Sequence, residues 1–138
     1  MRVLSTLFAF LVLFSTAFAQ VGQPIVFERP PEGKIASLCD LNLETKESIE
    51  SCILEVFKGN LTAVAVAKAE SQLNPNAVNY NGSWSKDCGV FQLNSYYHKG
   101  SCELTTKGNI LYAYALYQKK GWQPWVAWQN GSYLKYLK

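Results

Sequence analysis

Two stretches decide the reading: Glu70-Ser71-Gln72-Leu73-Asn74-Pro75-Asn76-Ala77 and Lys86-Asp87-Cys88-Gly89-Val90-Phe91-Gln92-Leu93-Asn94-Ser95. Upstream of the first, Asn60 can cap a helix that continues through Leu61, Val64, Ala65 and Lys68, and Pro75 forbids its extension. Glu70 therefore falls near a helix end. Ala63, Ala65, Ala67 and Ala69 keep this helix thin, so neighbours can close on it from several sides. Between the two stretches, Asn79-Tyr80-Asn81-Gly82-Ser83 is a strong turn signal. Its flanks, Ala77-Val78 and Gly89 to Leu93, are expected to be short strands, forming a small sheet or hairpin that holds Asp87 opposite Glu70. In a strand, Gln92 and Asn94 alternate with Phe91 and Leu93, which puts both amides on one face.

Working outward, Thr45 can cap an earlier helix with Glu47 in its first turn. Ile49, Cys52, Ile53, Val56 and Phe57 repeat there at one-turn spacing, and Gly59 stops the run. Thr105 and Thr106 can start a third helix with Ile110, Ala113, Tyr114 and Tyr117 turned inward and Gly121 at its end. Pro124 opens a short helix through Trp125, Val126 and Trp128, closed by Asn130-Gly131, and Tyr133 to Leu137 make a final turn or two. Trp122 and Trp128 read as core.

The whole chain adds bounds. Residues 1–19 read as a secretory signal peptide: Arg2 is the charged start, Leu7 to Phe14 the apolar run, Ala17-Phe18-Ala19 the cleavage pattern. That run is short for a membrane span, so no integral membrane association is expected after cleavage. Residues 20–36, with Pro24, Pro30, Pro31 and Gly33, form an extended leader, and residues 37–138 form one folded domain. The net charge is +3, and cleavage would remove Arg2 and make it one less positive. That balance suits an anionic polymer and is too weak to argue for nucleic acid. Cys39, Cys52, Cys88 and Cys102 are even in number in an exported chain, which points to disulfides. Three pairings are open; the local one, Cys39–Cys52 with Cys88–Cys102, is preferred, each closing a loop of about 15 residues worth about 3 kcal/mol by chain entropy. No Cys-x-x-Cys is present and there is 1 histidine, so no metal site is expected. Asn60, Asn81 and Asn130 each begin an N-glycosylation pattern but also have a cap or turn role, and a glycan on Asn81 would crowd the expected cleft.

Residues 60–134 resemble the lysozyme-like superfamily, between the c-type lysozymes and the soluble lytic transglycosylase domains. Ala67-Lys68-Ala69-Glu70-Ser71 with Asn74-Pro75-x-Ala77, and Trp122-x-Pro124-Trp125 with Asn130-Gly131-Ser132-Tyr133, are similar to the transglycosylase pattern. Asp87-x-Gly89-x-Phe91-Gln92-Leu93-Asn94-Ser95 and Trp125-Val126-Ala127-Trp128-x-Asn130 are closer to the c-type lysozymes. The c-type cysteine framework has twice as many cysteines and does not map onto these, and transglycosylases often lack a carboxylate at the Asp87 position.

The resemblance implies an α+β fold, mostly α, in two lobes with a small β-hairpin or sheet beside a substrate cleft. It implies a secreted or extracytoplasmic glycosidase that cuts the β-1,4 bond between N-acetylmuramic acid and N-acetylglucosamine in peptidoglycan. Chitin oligomers are the other candidate substrate, no cofactor is needed, and the chain is expected to act as a monomer. Glu70 would be the general acid, its pKa raised by burial against Trp125. Asp87 would be the nucleophile or charge stabiliser, with a turn residue bonding its own backbone as the bland alternative. Gln92, Asn94, Tyr97 and Trp125 would bind sugar, and Gly89 would let the backbone approach it or bend the strand. His98, next to Tyr96 and Tyr97, reads as a packing or surface residue. Two other functions compete. A lytic transglycosylase would make the same cut and leave a 1,6-anhydro end. A catalytically silent glycan-binding module would keep the cleft but have no need of Glu70.

Overall fold

The computed structural model describes residues 38–137; the expected signal peptide, the leader and the domain's first and last residues lie outside them. Thr45 accepts a hydrogen bond from the Ser48 amide and starts α1 (Lys46–Val56). Asn60 does the same for the Thr62 amide and starts α2 (Leu61–Ser71). Thr105 caps α3 (Thr106–Lys120) through the Gly108 amide. Each of these side chains satisfies an amide that the first helical turn leaves without a partner. The short α4 (Val126–Gln129) follows Trp125, and a 3₁₀ turn (Ser132–Tyr136) closes the chain. At the other end of α2, Gln72 and Leu73 both take left-handed backbone, so the helix stops before Pro75 is reached.

The sheet departs from the expected strands. It is antiparallel in the order β1 (Val78–Asn81), β2 (Ser85–Cys88), β3 (Leu93–Asn94). Asn79 to Asn81, expected within the turn, are strand, and Gly82 to Trp84 make the reversal. Gly89 to Gln92, expected as strand, form a tight turn instead. The physical reason is backbone: Gly89 has φ +77° and Gln92 φ +46°, both left-handed, so the chain coils there and extends again only at Leu93. The register sets Asn79 opposite Asp87 and Asp87 opposite Asn94. Side chains alternate along a strand, so Asn79, Asn81, Asp87 and Asn94 share one face.

Helices and sheet meet on one apolar core. Ile49, Cys52, Ile53 and Val56 of α1 are buried, as the one-turn spacing predicts. The alanine-rich α2 buries Ala63 through Ala67 and packs against α1, α4 and the final 3₁₀ turn. Phe57, just past α1, sits at the aromatic centre. Its ring stacks on Phe91 at 5.5 Å and on Trp122 at 5.7 Å, and meets Tyr114 edge-on at 5.1 Å. One side chain thus ties α1 to the 89–92 turn, to α3 and to the segment before α4. The disulfides Cys39–Cys52 and Cys88–Cys102 take the local pairing preferred from the sequence. The second staples β2 to the 3₁₀ turn Ser101–Glu103 that precedes α3. No helix among the described residues is long and apolar enough to cross a membrane.

Because Phe57 joins so many elements, truncating it opens a cavity that none of them can fill alone. Phe57→Ala is expected to lower unfolding free energy by about 3–5 kcal/mol, whereas Phe57→Leu should cost clearly less. Urea denaturation of the two variants beside the parent chain checks this.

Candidate active site

A cavity of about 700 Å³ opens between the sheet face, the end of α2 and the wall made by α3 and α4. That size falls within the roughly 300–1,000 Å³ usual for ligand clefts. Glu70 and Asp87 both border it, as do Asn81, Gln92, Asn94 and Tyr97 from the sheet side. Leu116 and Lys120 of α3 and Gln123 to Val126 complete the far wall, with His98 beside them. Seven residues named from the sequence for the site were Glu70, Asp87, Gly89, Gln92, Asn94, Tyr97 and Trp125; all but Gly89 border this cavity.

Glu70 is half-buried at the end of α2, and its Oε1 accepts the amide of Ala127, in the first turn of α4, at 2.9 Å. Burial pushes its pKa above the usual carboxylate range; the Ala127 bond pulls the other way, and the negative charge of Asp87 pushes it up further. The neighbouring Ser71 donates to the Val90 carbonyl at 2.7 Å, so the end of α2 is tied directly to the 89–92 turn. Trp125 is 3% exposed, lines the cavity, and donates its indole N–H to the Phe91 carbonyl at 3.1 Å. The Trp125 ring is thereby held in one orientation.

Asp87 is held by two side-chain amides. Asn94 Nδ2 donates to Oδ1 and Asn81 Nδ2 donates to Oδ2, both at 2.7 Å. The register produces this directly, since all three side chains emerge on the same face. Asn81 was read from sequence only as a turn residue and glycosylation candidate. Its spacing of two from Asn79 is the signal that a strand assignment would have exposed. A glycan on Asn81 would be attached to this same Nδ2, next to the Asp87 carboxylate.

Gln92 borders the cavity, but both ends of its amide are taken up within the protein. Nε2 donates to the Gly89 and Ala77 carbonyls at 2.8 and 3.1 Å, and Oε1 accepts from Asn79 at 2.7 Å. It holds the turn together from inside. Gly89 does not border the cavity: the space over its Cα is filled by Asn109 of α3, and an added Cβ would stand 2.5 Å from Asn109 Nδ2. Its lack of a side chain serves that close approach and the positive φ, not the approach of a ligand. Asn109, 2% exposed, accepts from the Phe91 amide at 2.9 Å and donates to the Cys88 carbonyl at 3.0 Å. Sequence reasoning missed it. The signal was a polar residue directly beside the apolar stripe of α3.

Tyr97 is exposed at the cavity edge and meets Tyr96 edge-on at 5.1 Å. His98 Nδ1 lies 3.0 Å from the Tyr112 hydroxyl. Burial lowers the His98 pKa, and the charge of Lys120 lowers it further; both favour the neutral ring. Trp122 is buried in the core and Trp128 packs against it, as the sequence suggested. No group of three or more His, Cys, Asp or Glu able to hold a metal ion occurs among the described residues.

Residues 56–127 match the family model of the lysozyme-like domain. The chain is also 34% identical to lysozyme C of Semnopithecus entellus and of Trachypithecus vetulus, over 72% of this chain and 78% of theirs. The chain belongs to the lysozyme-like family. Lysozyme C of Macaca mulatta is similar at 32% identity over the same shares. No solved structure matches. The matched span of this lysozyme-like chain includes Glu70, Asp87, the Asn81–Asn94 clamp and Trp125.

Two outcomes follow from this geometry. Asn109→Ala leaves the buried Phe91 amide without an acceptor and should cost about 1–3 kcal/mol; Gly89→Ala should cost at least as much, because it combines a positive φ with the Asn109 clash. Thermal melts of both variants read this. The second concerns pH. A carboxyl with a raised folded pKa binds its proton more tightly folded than unfolded, so its contribution to stability is present below the unfolded pKa and lost as pH rises through the folded one. Glu70→Gln keeps an acceptor for the Ala127 amide but cannot ionise. Its stability relative to the parent should therefore rise between pH 4 and pH 8, measured as the difference in Tm.

Proposed function

We propose that this chain is an exported peptidoglycan glycosidase that hydrolyses the β-1,4 bond between N-acetylmuramic acid and N-acetylglucosamine. The single observation that carries the reading is the contrast between two carboxyls on one cavity. Glu70 is half-buried, with a pKa raised chiefly by desolvation, while Asp87 is gripped by two amide donors. Two carboxyl groups in unlike environments are what separates an acid from a charge-bearing partner. Lysozymes are the type case of this division of labour.

In this reading Glu70 gives its proton to the glycosidic oxygen, so the leaving sugar departs as an alcohol and not as an alkoxide. Positive charge grows on the anomeric carbon, and the Asp87 carboxylate stabilises it or bonds to it. Water then adds, and Glu70, now a carboxylate, recovers a proton from it. The amides of Asn81 and Asn94 keep the Asp87 oxygens fixed, so little reorganisation is needed as charge develops. The Ala127 amide orients Glu70 without exposing it. Trp125 supplies the apolar wall, and Tyr97 at the rim offers a ring face for stacking on a pyranose. Disulfides and membership in the lysozyme-like family support an extracytoplasmic site of action.

The test is mass spectrometry of glycan fragments released from peptidoglycan by residues 20–138, compared with Glu70→Gln and Asp87→Asn. Reducing muramic ends are expected, with loss of about 10²–10⁴ in rate for Glu70→Gln and a fall in kcat for Asp87→Asn. Anhydro ends would replace hydrolysis by the transglycosylase reaction at the same bond. Cleavage that survives Glu70→Gln would overturn the assignment of the acid.

A further inference from the structure

The far wall of the cavity carries a charge that the cleavage chemistry does not use. Lys120 borders the cavity one helical turn after Leu116, on the same face of α3. It is the one lysine or arginine among the described residues that line this space. It forms no ion pair with another described residue: the ion pairs among these are Lys68–Glu50 and Lys107–Asp40. A helix C-terminus favours a cation, but Lys119 meets that need equally and does not border the cavity. Lys120 is also close enough to lower the His98 pKa, which places its field on the same wall. The same field favours the neutral His98 ring, which can exchange hydrogen bonds without adding a second charge.

Facing this wall, Asp87 makes the sheet side negative. A glycan that itself carries carboxylates would be repelled by Asp87 unless a cation elsewhere in the cleft offset it. A neutral glycan would need no such group. We propose that Lys120, beside His98, forms a carboxylate-reading subsite that makes the cleft prefer acidic glycans, those with a lactyl group or a peptide stem on the sugar, over neutral chains of N-acetylglucosamine. The inference rests on the glycosidase reading above and names the side chains by which the cleft selects that substrate.

The experiment compares kcat/KM of the parent chain, Lys120→Gln, Lys120→Glu and the control Lys119→Gln on four soluble substrates. These are peptidoglycan strands bearing peptide, strands stripped to the free lactyl carboxylate, the stripped strands after methyl esterification, and chitin oligosaccharides. Lys120→Gln should lose about five- to tenfold on carboxylate-bearing strands, Lys120→Glu more. Both should stay within about twofold of the parent on esterified strands and chitin, and Lys119→Gln should stay within about twofold on all four. A loss confined to peptide-bearing strands assigns the contact to a stem carboxylate; a loss on stripped strands assigns it to the lactyl group. Equal losses on charged and esterified strands, or no loss on any, overturn the subsite while leaving the glycosidase intact. A parent chain inactive on every substrate overturns the glycosidase reading and the subsite with it.

Discussion

The architecture of the site depends on one buried amide. Asn109 projects from α3 and bonds both the Cys88 carbonyl and the Phe91 amide, and so grips the 89–92 turn from below. That turn carries no regular ladder of its own, and its backbone is left-handed at both ends. Without an external partner its polar groups would be buried and unpaired, which is costly. Gly89 makes the grip possible by leaving room for the amide, and Gln92 completes it from inside the turn. The same turn receives Ser71 from α2 and Trp125 from the approach to α4. Three parts of the chain that carry or wall the cavity are thus referred to one short segment.

This convergence explains how Glu70 and Asp87 come to differ. Glu70 rides on a helix that is thin enough to be enclosed, and the first turn of α4 closes over its carboxyl. Water is displaced there and only one backbone amide compensates, so the protonated form is favoured. Asp87 rides on an antiparallel ladder whose open face is lined with asparagines. Helix end and sheet face present the same chemical group in opposite settings. The cavity between them brings the pair together.

Much of this was legible beforehand, and the reasons are specific. The helices were visible because caps and one-turn apolar spacing are local signals: Thr45, Asn60 and Thr105 each cap the helix assigned to them. The local disulfide pairing was favoured because short loops close cheaply. The strands were misplaced because the run from Gly89 to Leu93 alternates polar and apolar residues like a strand, while its backbone coils around an asparagine that arrives from α3. The alternation nonetheless put Gln92 and Asn94 at the cavity, by two different routes: Asn94 through strand pairing, Gln92 through an inward-turned amide.

From the sequence alone came what neighbouring residues dictate: where helices start and stop, which faces are apolar, that Glu70 lies at a helix end and that Asp87 precedes a glycine. The motif order also carried the family. What only the tertiary structure decided is what distant residues do to one another. Asn81 clamps Asp87 only once the strand register is set. Glu70 has its raised pKa only once α4 covers it. Lys120 reaches the cavity only because α3 lies along its wall. The physical reason is common to all three: hydrogen bonding, desolvation and charge act over a few ångströms in space, and a linear pattern records only those neighbours that are also close along the chain.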